Sequence, residues 1–403
     1  MTRRIAVLGA GIQGACAGLL LARRGSTVDL FDQEPAPLMR ASRWNEGKIH
    51  LGFVFARDPS ARTALAMLQG SLHFADILEE LTGRPLDDAV LSERFTYIVH
   101  RGGMMAPEEV RAHFRLVADR YRDLRRSLGK RYLGERSDFV FEEIARRELP
   151  EAYDAARCAA AFRTVERSVD PGIVARRLAD AVGACPGLQF LGSRRIERLS
   201  RDAAGRFLVH EAGTGSRHGP YDHVVNALWE DRLRIDAGLG IEPGRAWLHR
   251  YKLAIHAEGA GGVAPSTTIM LGSFGDVVNF GDGRYYLSWY PSCRIGTSTL
   301  LAPPDFEADV TDGMRRRILK ETLAGLATVV PAVAELDLAR ARVEVRGGYI
   351  FAWGESDIED RGSELHNRFD IGVRSAGNHH SIDTGKYCMA PLFARTVTER
   401  ICG

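Results

Sequence analysis

The sequence predicts a mixed α/β (α+β) fold in which a discontinuous, Rossmann-like domain alternates with an inserted domain built on a mixed antiparallel sheet. Three observations lead to this prediction. A glycine-rich turn near the N-terminus joins an apolar strand to an apolar helix. Strand-like and helix-like hydrophobic patterns alternate along the rest of the chain. The pattern of the first domain breaks off twice and later resumes, in a chain of 403 residues that is long enough for two domains.

The opening segment has the pattern of a dinucleotide-binding strand, turn and helix. An apolar run over 5–8 precedes the spacing G-x-G-x-x-G, and an apolar helix follows over 15–24. Glycines at these positions allow a tight turn, a close approach of backbone N–H groups to a pyrophosphate, and close packing of helix on strand. The helix N-terminus also favours a phosphate. The predicted contacts are Gly9, Gly11, Ile12, Gln13 and Gly14.

A second strand over 27–31 ends at an acidic residue, Asp32. This offset is close to the roughly 20 residues at which an acid accepts a hydrogen bond from the ribose. Asp32 and Gln33 are therefore predicted to lie beside the nucleotide, and Glu34 is an alternative acceptor.

The remaining elements follow from hydrophobic periodicity. Helices are predicted over 58–82, 107–128, 171–182, 310–326 and 389–401. Strands are predicted over 95–100, 188–191, 195–199, 207–211, 223–227, 251–257, 267–271, 276–280, 284–289, 342–351 and 369–373. Together they assign 1–57, 166–248 and 343–403 to the nucleotide-binding domain. Residues 58–165 and 249–342 form the second domain, which caps the substrate site.

Composition excludes several classes of protein. The net charge of +2 argues against nucleic acid as the main partner. The six cysteines show no C-x-x-C spacing, so we expect neither a disulfide framework nor a metal site, but a reducing, cytoplasmic location. No apolar run reaches the roughly 18 residues of a membrane span. Oligomeric state is not predicted.

Four segments resemble the D-amino-acid oxidase superfamily, and the resemblance spans most of the chain. The first is the glycine turn. The second, ASRWNEGKIHLG at 41–52, is similar to the Ser-x-x-Asn-x-Gly-x-Ile-His-x-Gly pattern of the hydroxy-acid and glycerol-phosphate branches. The third comprises SVDP at 168–171 and YDHVVNALW at 221–229, where Leu228 and Trp229 replace a small residue and a glycine. The fourth is SAGNHHSIDTGK at 375–386.

This resemblance implies a FAD-binding domain of the glutathione-reductase type and non-covalently bound FAD. Cys388 does not match the position of the covalent flavin link in some relatives. The contacts implied by the resemblance are Ser42, Arg43, Asn45, Gly47, Lys48, Ile49, Val169, Asn226, Ala227, Trp229, Gly348, Asn378, His379, His380, Ser381, Asp383, Thr384, Gly385 and Lys386.

Four side chains are candidates for the chemistry. Arg346 is similar to the arginine that binds the substrate carboxylate in amine oxidases of the superfamily; the alternative is an ion pair with Glu344 or a more distant acid. His50 matches the histidine of the hydroxy-acid branch and suits a general base; the alternative is a hydrogen bond to backbone or flavin. His379 is expected near the flavin. Tyr286 is a candidate pocket wall that shares one strand face with Tyr290, and sheet packing is the alternative.

The sequence therefore predicts an FAD-dependent oxidoreductase that oxidises a C–N or C–OH bond of a small molecule by hydride transfer. The candidate substrates are small amino acids, secondary amines and 2-hydroxy acids, and the electron acceptor is oxygen or another oxidant. One alternative is a biosynthetic oxidoreductase with a larger or carrier-bound substrate. Another is a flavin-binding subunit of a heteromeric dehydrogenase that has no activity alone.

Overall fold

The computed structural model describes residues 2–135 and 137–403. Its helices are α1 (Ile12–Arg23), α2 (Arg62–Thr82), α3 (Pro107–Leu128), α4 (Pro171–Ala184), α5 (Arg232–Ala237), α6 (Tyr290–Cys293), α7 (Asp312–Ala327) and α8 (Ala390–Cys402). Its strands are β1 (Arg4–Leu8), β2 (Thr27–Phe31), β3 (Thr96–His100), β4 (Phe141–Ile144), β5 (Cys158–Thr164), β6 (Leu188–Leu191), β7 (Ile196–Arg201), β8 (Phe207–Glu211), β9 (Arg217–Tyr221), β10 (His223–Asn226), β11 (Trp247–Glu258), β12 (Thr267–Met270), β13 (Gly275–Asn279), β14 (Tyr285–Trp289), β15 (Arg294–Ser298), β16 (Arg342–Trp353), β17 (Gly372–Ala376) and β18 (His379–Asp383).

The first sheet has the strand order β17-β18-β10-β1-β2-β6 and is parallel except for the edge strand β17. Leu8 pairs with Asn226, which pairs with Ser381, so the carboxyl ends of three strands meet at one edge. Helix α1 is apolar on all sides, and eleven of its twelve residues are buried. The main core extends from this sheet and α1 through α8 and α2 to α3.

The second sheet has nine strands, and the long strand β11 is its organising element. Along one side β11 pairs with β15 and β14, and along the other side it pairs with β16 over twelve antiparallel positions. The order continues through β13, β12 and β3 to β5 and β4. Alternate residues of β11, such as Tyr251 and Leu253, pack in an apolar core with Ile318 and Leu326 of α7. The residues between them face the first sheet.

The structure confirms the predicted α/β class and corrects several boundaries. Helix α2 begins at Arg62 rather than at 58, because the Asp58 carboxylate accepts a hydrogen bond from the Thr63 N–H at 2.8 Å and the chain turns before the helix. The strand predicted over 369–373 lies at 372–376. Strand β18 was missed, because its sequence, His-His-Ser-Ile-Asp, reads as a polar turn.

The division of the chain into two domains stays a prediction. All strands of the first sheet fall within 1–57, 166–248 and 343–403. Strand β16 pairs with β11 in the second sheet, although the prediction assigns 343–353 to the nucleotide-binding domain. We propose that 342–353 belongs to the second domain. In the part of the chain that the structure describes, no helix is both long and apolar enough to cross a membrane.

Candidate active site

A cavity of about 370 Å³ runs along the carboxyl edge of the first sheet. On one side it is lined by the glycine turn and the segments that follow β2 and β10. On the other side it is lined by β16 and by the turn that follows β18. It lies where parallel strands end, which is the usual ligand position in such sheets.

The glycine turn has the geometry that its spacing predicts. Gly9 has φ +90°, and a Cβ atom there would lie 2.6 Å from the Ala227 carbonyl oxygen. A Cβ at Gly14 would lie 1.8 Å from the Gly9 carbonyl oxygen, so helix and strand can pack only with glycine there. Gly11 faces Ser42, whose hydroxyl accepts a hydrogen bond from the Ile12 N–H at 2.9 Å. Backbone is thereby exposed to the cavity at Gly9 and Gly11.

The Gly14→Ala variant is expected to lose its cofactor and to be destabilised by about 3 kcal/mol or more, because the added methyl group overlaps backbone. Gly183→Ala is the control. Its Cβ meets nothing within 4 Å, so it should be neutral or stabilise α4 by about 0.5–1 kcal/mol. Thermal unfolding and the flavin absorbance of the purified proteins measure both effects. Retention of flavin by Gly14→Ala would contradict the assignment.

The outer end of the cavity carries the acids that follow β2. Asp32 accepts hydrogen bonds from the Ala10 N–H at 2.6 Å and the Glu34 N–H at 2.9 Å, and burial raises its pKa. Glu34 forms an ion pair with Arg40 at 3.7 Å. Both carboxylates line the cavity, together with Gln33 and Arg194. Asp32 is thus fixed by the turn while it keeps further acceptor capacity.

The inner end is formed by the turn after β18. The Thr384 hydroxyl donates to the Gln13 amide oxygen at 3.1 Å, and the Gly385 N–H donates to Asp383 at 3.1 Å. Burial, opposed by the charge of Glu46 and reinforced by that of Arg368, lowers the pKa of the Lys386 ammonium to about 8. Burial also lowers the pKa of Arg368 to about 10. Two cations therefore line this end of the cavity.

His50 lies buried close to these cations, with only 4% of its surface exposed. Neither ring nitrogen has a hydrogen-bond partner among the described residues. Burial, followed by the charges of Lys386, Lys48 and Arg368, holds the pKa of His50 well below its usual value. The imidazole is therefore neutral at neutral pH, and it can accept a proton.

Arg250 on β11 is a second buried group with unused hydrogen-bonding capacity. It is 2% exposed, and its Nη1 donates to the Tyr290 hydroxyl and to Asp357, each at 3.0 Å. Its Nε and Nη2 have no partner within the described ranges. These two nitrogens form the edge of a guanidinium that binds a carboxylate side-on. Ile350, its neighbour in β16, lines the cavity, and the Arg250 charge lowers the pKa of Arg368.

The structure places Arg346 and His379 away from the cavity, contrary to the sequence-based expectation. Arg346 is exposed on the edge strand β16 and forms an ion pair with Glu307 at 3.4 Å. His379 is 1% exposed in β18, with its Nε2 at 2.8 Å from Asp236. The reason is local: β18 is a strand of the first sheet rather than a loop, so its side chains pack inside the protein. His380 contacts His223 at 3.2 Å for the same reason.

Tyr286 is buried on the face of β14 that points toward the first sheet. Its ring lies 5.4 Å from that of His256, and the charge of nearby Lys252 opposes the rise in the pKa of the Tyr286 hydroxyl caused by burial. Tyr285 packs in the core under α7, together with Leu287. Tyr290 begins α6 rather than lying in the strand, and its hydroxyl contacts Arg250. Neither Tyr286 nor Tyr290 lines the cavity.

Half of the predicted cofactor contacts line the cavity: Gly9, Gly11, Ile12, Gln13, Asp32, Gln33, Ser42, Asn45, Ala227, Trp229, Thr384, Gly385 and Lys386. The others do not line it. Gly14 packs α1 on β1, and Gly348 packs β16 against Ala41. Asn378 precedes β18 at the opposite end of the sheet, where its side chain donates to the Asp222 carbonyl oxygen at 2.9 Å. The rest lie in other loops and strands: Arg43, Gly47, Lys48, Ile49, Val169, Asn226, His379, His380, Ser381 and Asp383. Lys48, for example, pairs with Asp276 of β13 at 3.3 Å.

Sequence reasoning missed Arg250, Arg368, Arg40, Glu46 and Glu230. A usable signal existed for one of them. In β11 the alternation of Arg250 and Lys252 with Tyr251 and Leu253 marks a strand with one polar face turned inward. Arg368 lies in an irregular segment, where no periodicity is available.

Comparisons with known proteins agree with this geometry. A family model described as FAD dependent oxidoreductase (DAO) matches residues 4–399. Glycine oxidase from Geobacillus kaustophilus has a similar structure, with 17% identity, a TM-score of 0.66 and coverage of 99% of this chain and 95% of that one. L-proline dehydrogenase from P. horikoshii has 16% identity, a TM-score of 0.65 and coverage of 99% and 93%. A comparison with curated proteins finds no match.

L-alpha-glycerophosphate oxidase from Mycoplasma pneumoniae, with FAD bound, has 14% identity, a TM-score of 0.65 and coverage of 100% and 95%. At these identities the structural similarity shows the fold alone. The glycine cradle, the acids after β2 and the cations after β18 fit a bound dinucleotide. On the family match over nearly its whole length, the chain belongs to the DAO family of FAD-dependent oxidoreductases.

Proposed function

We propose that the enzyme oxidises a small substrate that carries a carboxylate, at a C–OH or C–N bond adjacent to that group. The candidate substrates are 2-hydroxy acids, amino acids and secondary amines, with a 2-hydroxy acid favoured. The observation that carries this proposal is a buried, neutral His50 whose ring nitrogens have no partner among the described residues and whose pKa is lowered by burial and by the charges of Lys386 and Arg368. Those two cations line the cavity, whereas His50 and Arg250, with its free guanidinium edge, lie behind the lining. An alcohol needs a proton acceptor for its hydroxyl, and a neutral amine often does not.

Each residue has a defined task in this proposal. Arg250 binds the carboxylate through Nε and Nη2, while Tyr290 and Asp357 hold its Nη1 in place. Lys386 and Arg368 add positive charge that attracts an anion into the cavity. His50 accepts the proton from the substrate hydroxyl or ammonium. FAD, when bound, supplies the acceptor for the hydride that leaves the substrate carbon.

The electrostatics around His50 suit repeated turnover. Its cationic neighbours disfavour the imidazolium form, so a proton accepted from substrate is readily passed on after the reaction. Burial of the ring excludes bulk water, which would otherwise compete for the imidazole nitrogens.

The direct experiment mixes the purified yellow enzyme anaerobically with D- and L-amino acids, N-methyl amino acids and 2-hydroxy acids. Loss of the flavin absorbance with carboxylate substrates, and not with the corresponding methyl esters or amides, is the expected result. Bleaching by esters and acids alike would contradict the role of the carboxylate. A flavin that no member of the panel bleaches would contradict the proposal as a whole.

The value of kcat/KM is expected to fall above about pH 8, because Lys386, with its lowered pKa, loses its proton and its positive charge in that range. Below that pH the ammonium is charged and helps to bind the anionic substrate; above it the amine is neutral. Lys386→Met should lower kcat/KM at pH 7 and abolish this alkaline limb. An unchanged limb in the variant would assign it to another group.

A further inference from the structure

Trp229 has a backbone conformation that side chains seldom adopt. Its φ is +53°, in the left-handed region that favours glycine. The residue lies three positions after the end of β10 and begins a short turn before α5. A large β-carbon-bearing residue at such a φ persists only where the surrounding structure holds it there.

The indole is held by a contact across the cavity wall. Its Nε1–H donates a hydrogen bond of 2.7 Å to the carbonyl oxygen of Tyr349 in β16, and its ring lies 6.2 Å from that of Phe351. The contact joins a loop of the first domain to an edge strand of the second sheet. Trp229 and Tyr349 both line the cavity.

A third segment continues the same wall. The Tyr349 hydroxyl donates to the Pro304 carbonyl and accepts from the Phe306 N–H at 3.2 Å. Pro303 and Asp305 of this segment line the cavity as well. Trp229, Tyr349 and the 302–306 segment thus form one connected part of the cavity wall, which joins the loop after β10 to β16.

We propose that Trp229 is a positioning residue that closes this wall over the middle of the FAD site and thereby slows cofactor release. The unfavourable φ turns the indole outward from the end of β10 toward β16. Without the indole, the loop after β10 loses this hydrogen bond to Tyr349. The contacts of Tyr349 with the 302–306 segment would remain. The inference goes beyond the proposed reaction, since it holds for any substrate.

The test measures the rate of FAD release from the holoenzyme, by flavin fluorescence after dilution into a trap for free FAD. Trp229→Phe keeps an aromatic ring, although a smaller one, and removes the N–H donor. Trp229→Gly removes the ring and also relaxes the backbone. We expect release about fivefold faster for the first and at least about tenfold faster for the second, as the loss of one hydrogen bond and then of the remaining contact implies.

Trp247→Phe is the matched control. Trp247 also donates its indole N–H to a backbone carbonyl, that of Leu300 at 3.3 Å, but it does not line the cavity. Its release rate should stay within about twofold of the wild type. The thermal stability of each apoprotein is measured as well, because Trp229→Gly also removes the backbone strain at this φ. This measurement separates an effect of the substitution on folding from an effect on FAD release. Release at the wild-type rate from both Trp229 variants, or equal acceleration by Trp247→Phe, would overturn the proposal.

Discussion

The His50→Asn enzyme is expected to bind FAD normally and to lose about 10²- to 10⁴-fold in kcat on 2-hydroxy acids, which is the usual contribution of a general base. The asparagine side chain fits the same space but cannot take up a proton at neutral pH. The wild-type kcat/KM should fall on the acid side with an apparent pKa below 6.5, in line with the lowered pKa of His50. The variant should lose this acid limb, and stopped-flow measurement of flavin reduction reports both effects.

His249→Asn is the control for the general cost of changing a buried imidazole. His249 is 0% exposed, has unpartnered ring nitrogens among the described residues, and lies on the opposite face of β11 from Arg250. Its replacement should leave the rate of flavin reduction nearly unchanged. Equal losses in both variants would show that the effect at His50 is structural.

Replacing Arg250 with methionine is expected to cost about 2–5 kcal/mol of substrate binding, because a buried charged hydrogen-bond partner of the carboxylate is removed. This corresponds to about 30-fold or more in kcat/KM. Arg250→Lys keeps the charge but not the two-pronged edge, so it should recover only a small part of the loss. Steady-state kinetics with a 2-hydroxy acid, together with thermal unfolding of each variant, measure these effects.

Arg346→Met tests the competing assignment. Arg346 is exposed and paired with Glu307, and removing an exposed ion pair costs at most about 1 kcal/mol of stability. Its kcat/KM should stay within about threefold of the wild type, which corresponds to less than 1 kcal/mol. A large rise in KM at Arg346 with none at Arg250 would restore the assignment made from sequence resemblance.

The sequence was sufficient to predict residues whose role depends on the conformation of the neighbouring backbone. Gly14 is required by a backbone contact within one strand-turn-helix unit and Gly9 by its positive φ in the turn, and a short-range pattern reports both. Tyr285 and Tyr286 were placed on opposite faces of β14 because strand periodicity is local as well. The G-x-G-x-x-G turn therefore needed no knowledge of the rest of the fold.

The sequence was insufficient where a residue's role depends on a distant partner. Arg346 and Arg250 are both arginines in strands, and only the pairing of β16 with β11 shows which one is buried beside the cavity. His379 and His380 lie in a strand because β10 pairs with them, although their own side chains favour no sheet. Arg368 is half-buried and reaches the cavity only through the tertiary structure, which no local pattern reports.

The strand order of the first sheet has a consequence for how this protein is made. Strands β1 and β10 leave the ribosome long before β18 and before α8, which packs on α1. The edge of β10 and the apolar surface of α1 therefore stay uncovered until β18 and α8 have been synthesised, a condition that exposes nascent chains to aggregation. Because Lys386 and its turn complete the cofactor site, FAD binds only after this late segment has folded, and chaperone capacity rather than flavin supply should limit the yield of active enzyme.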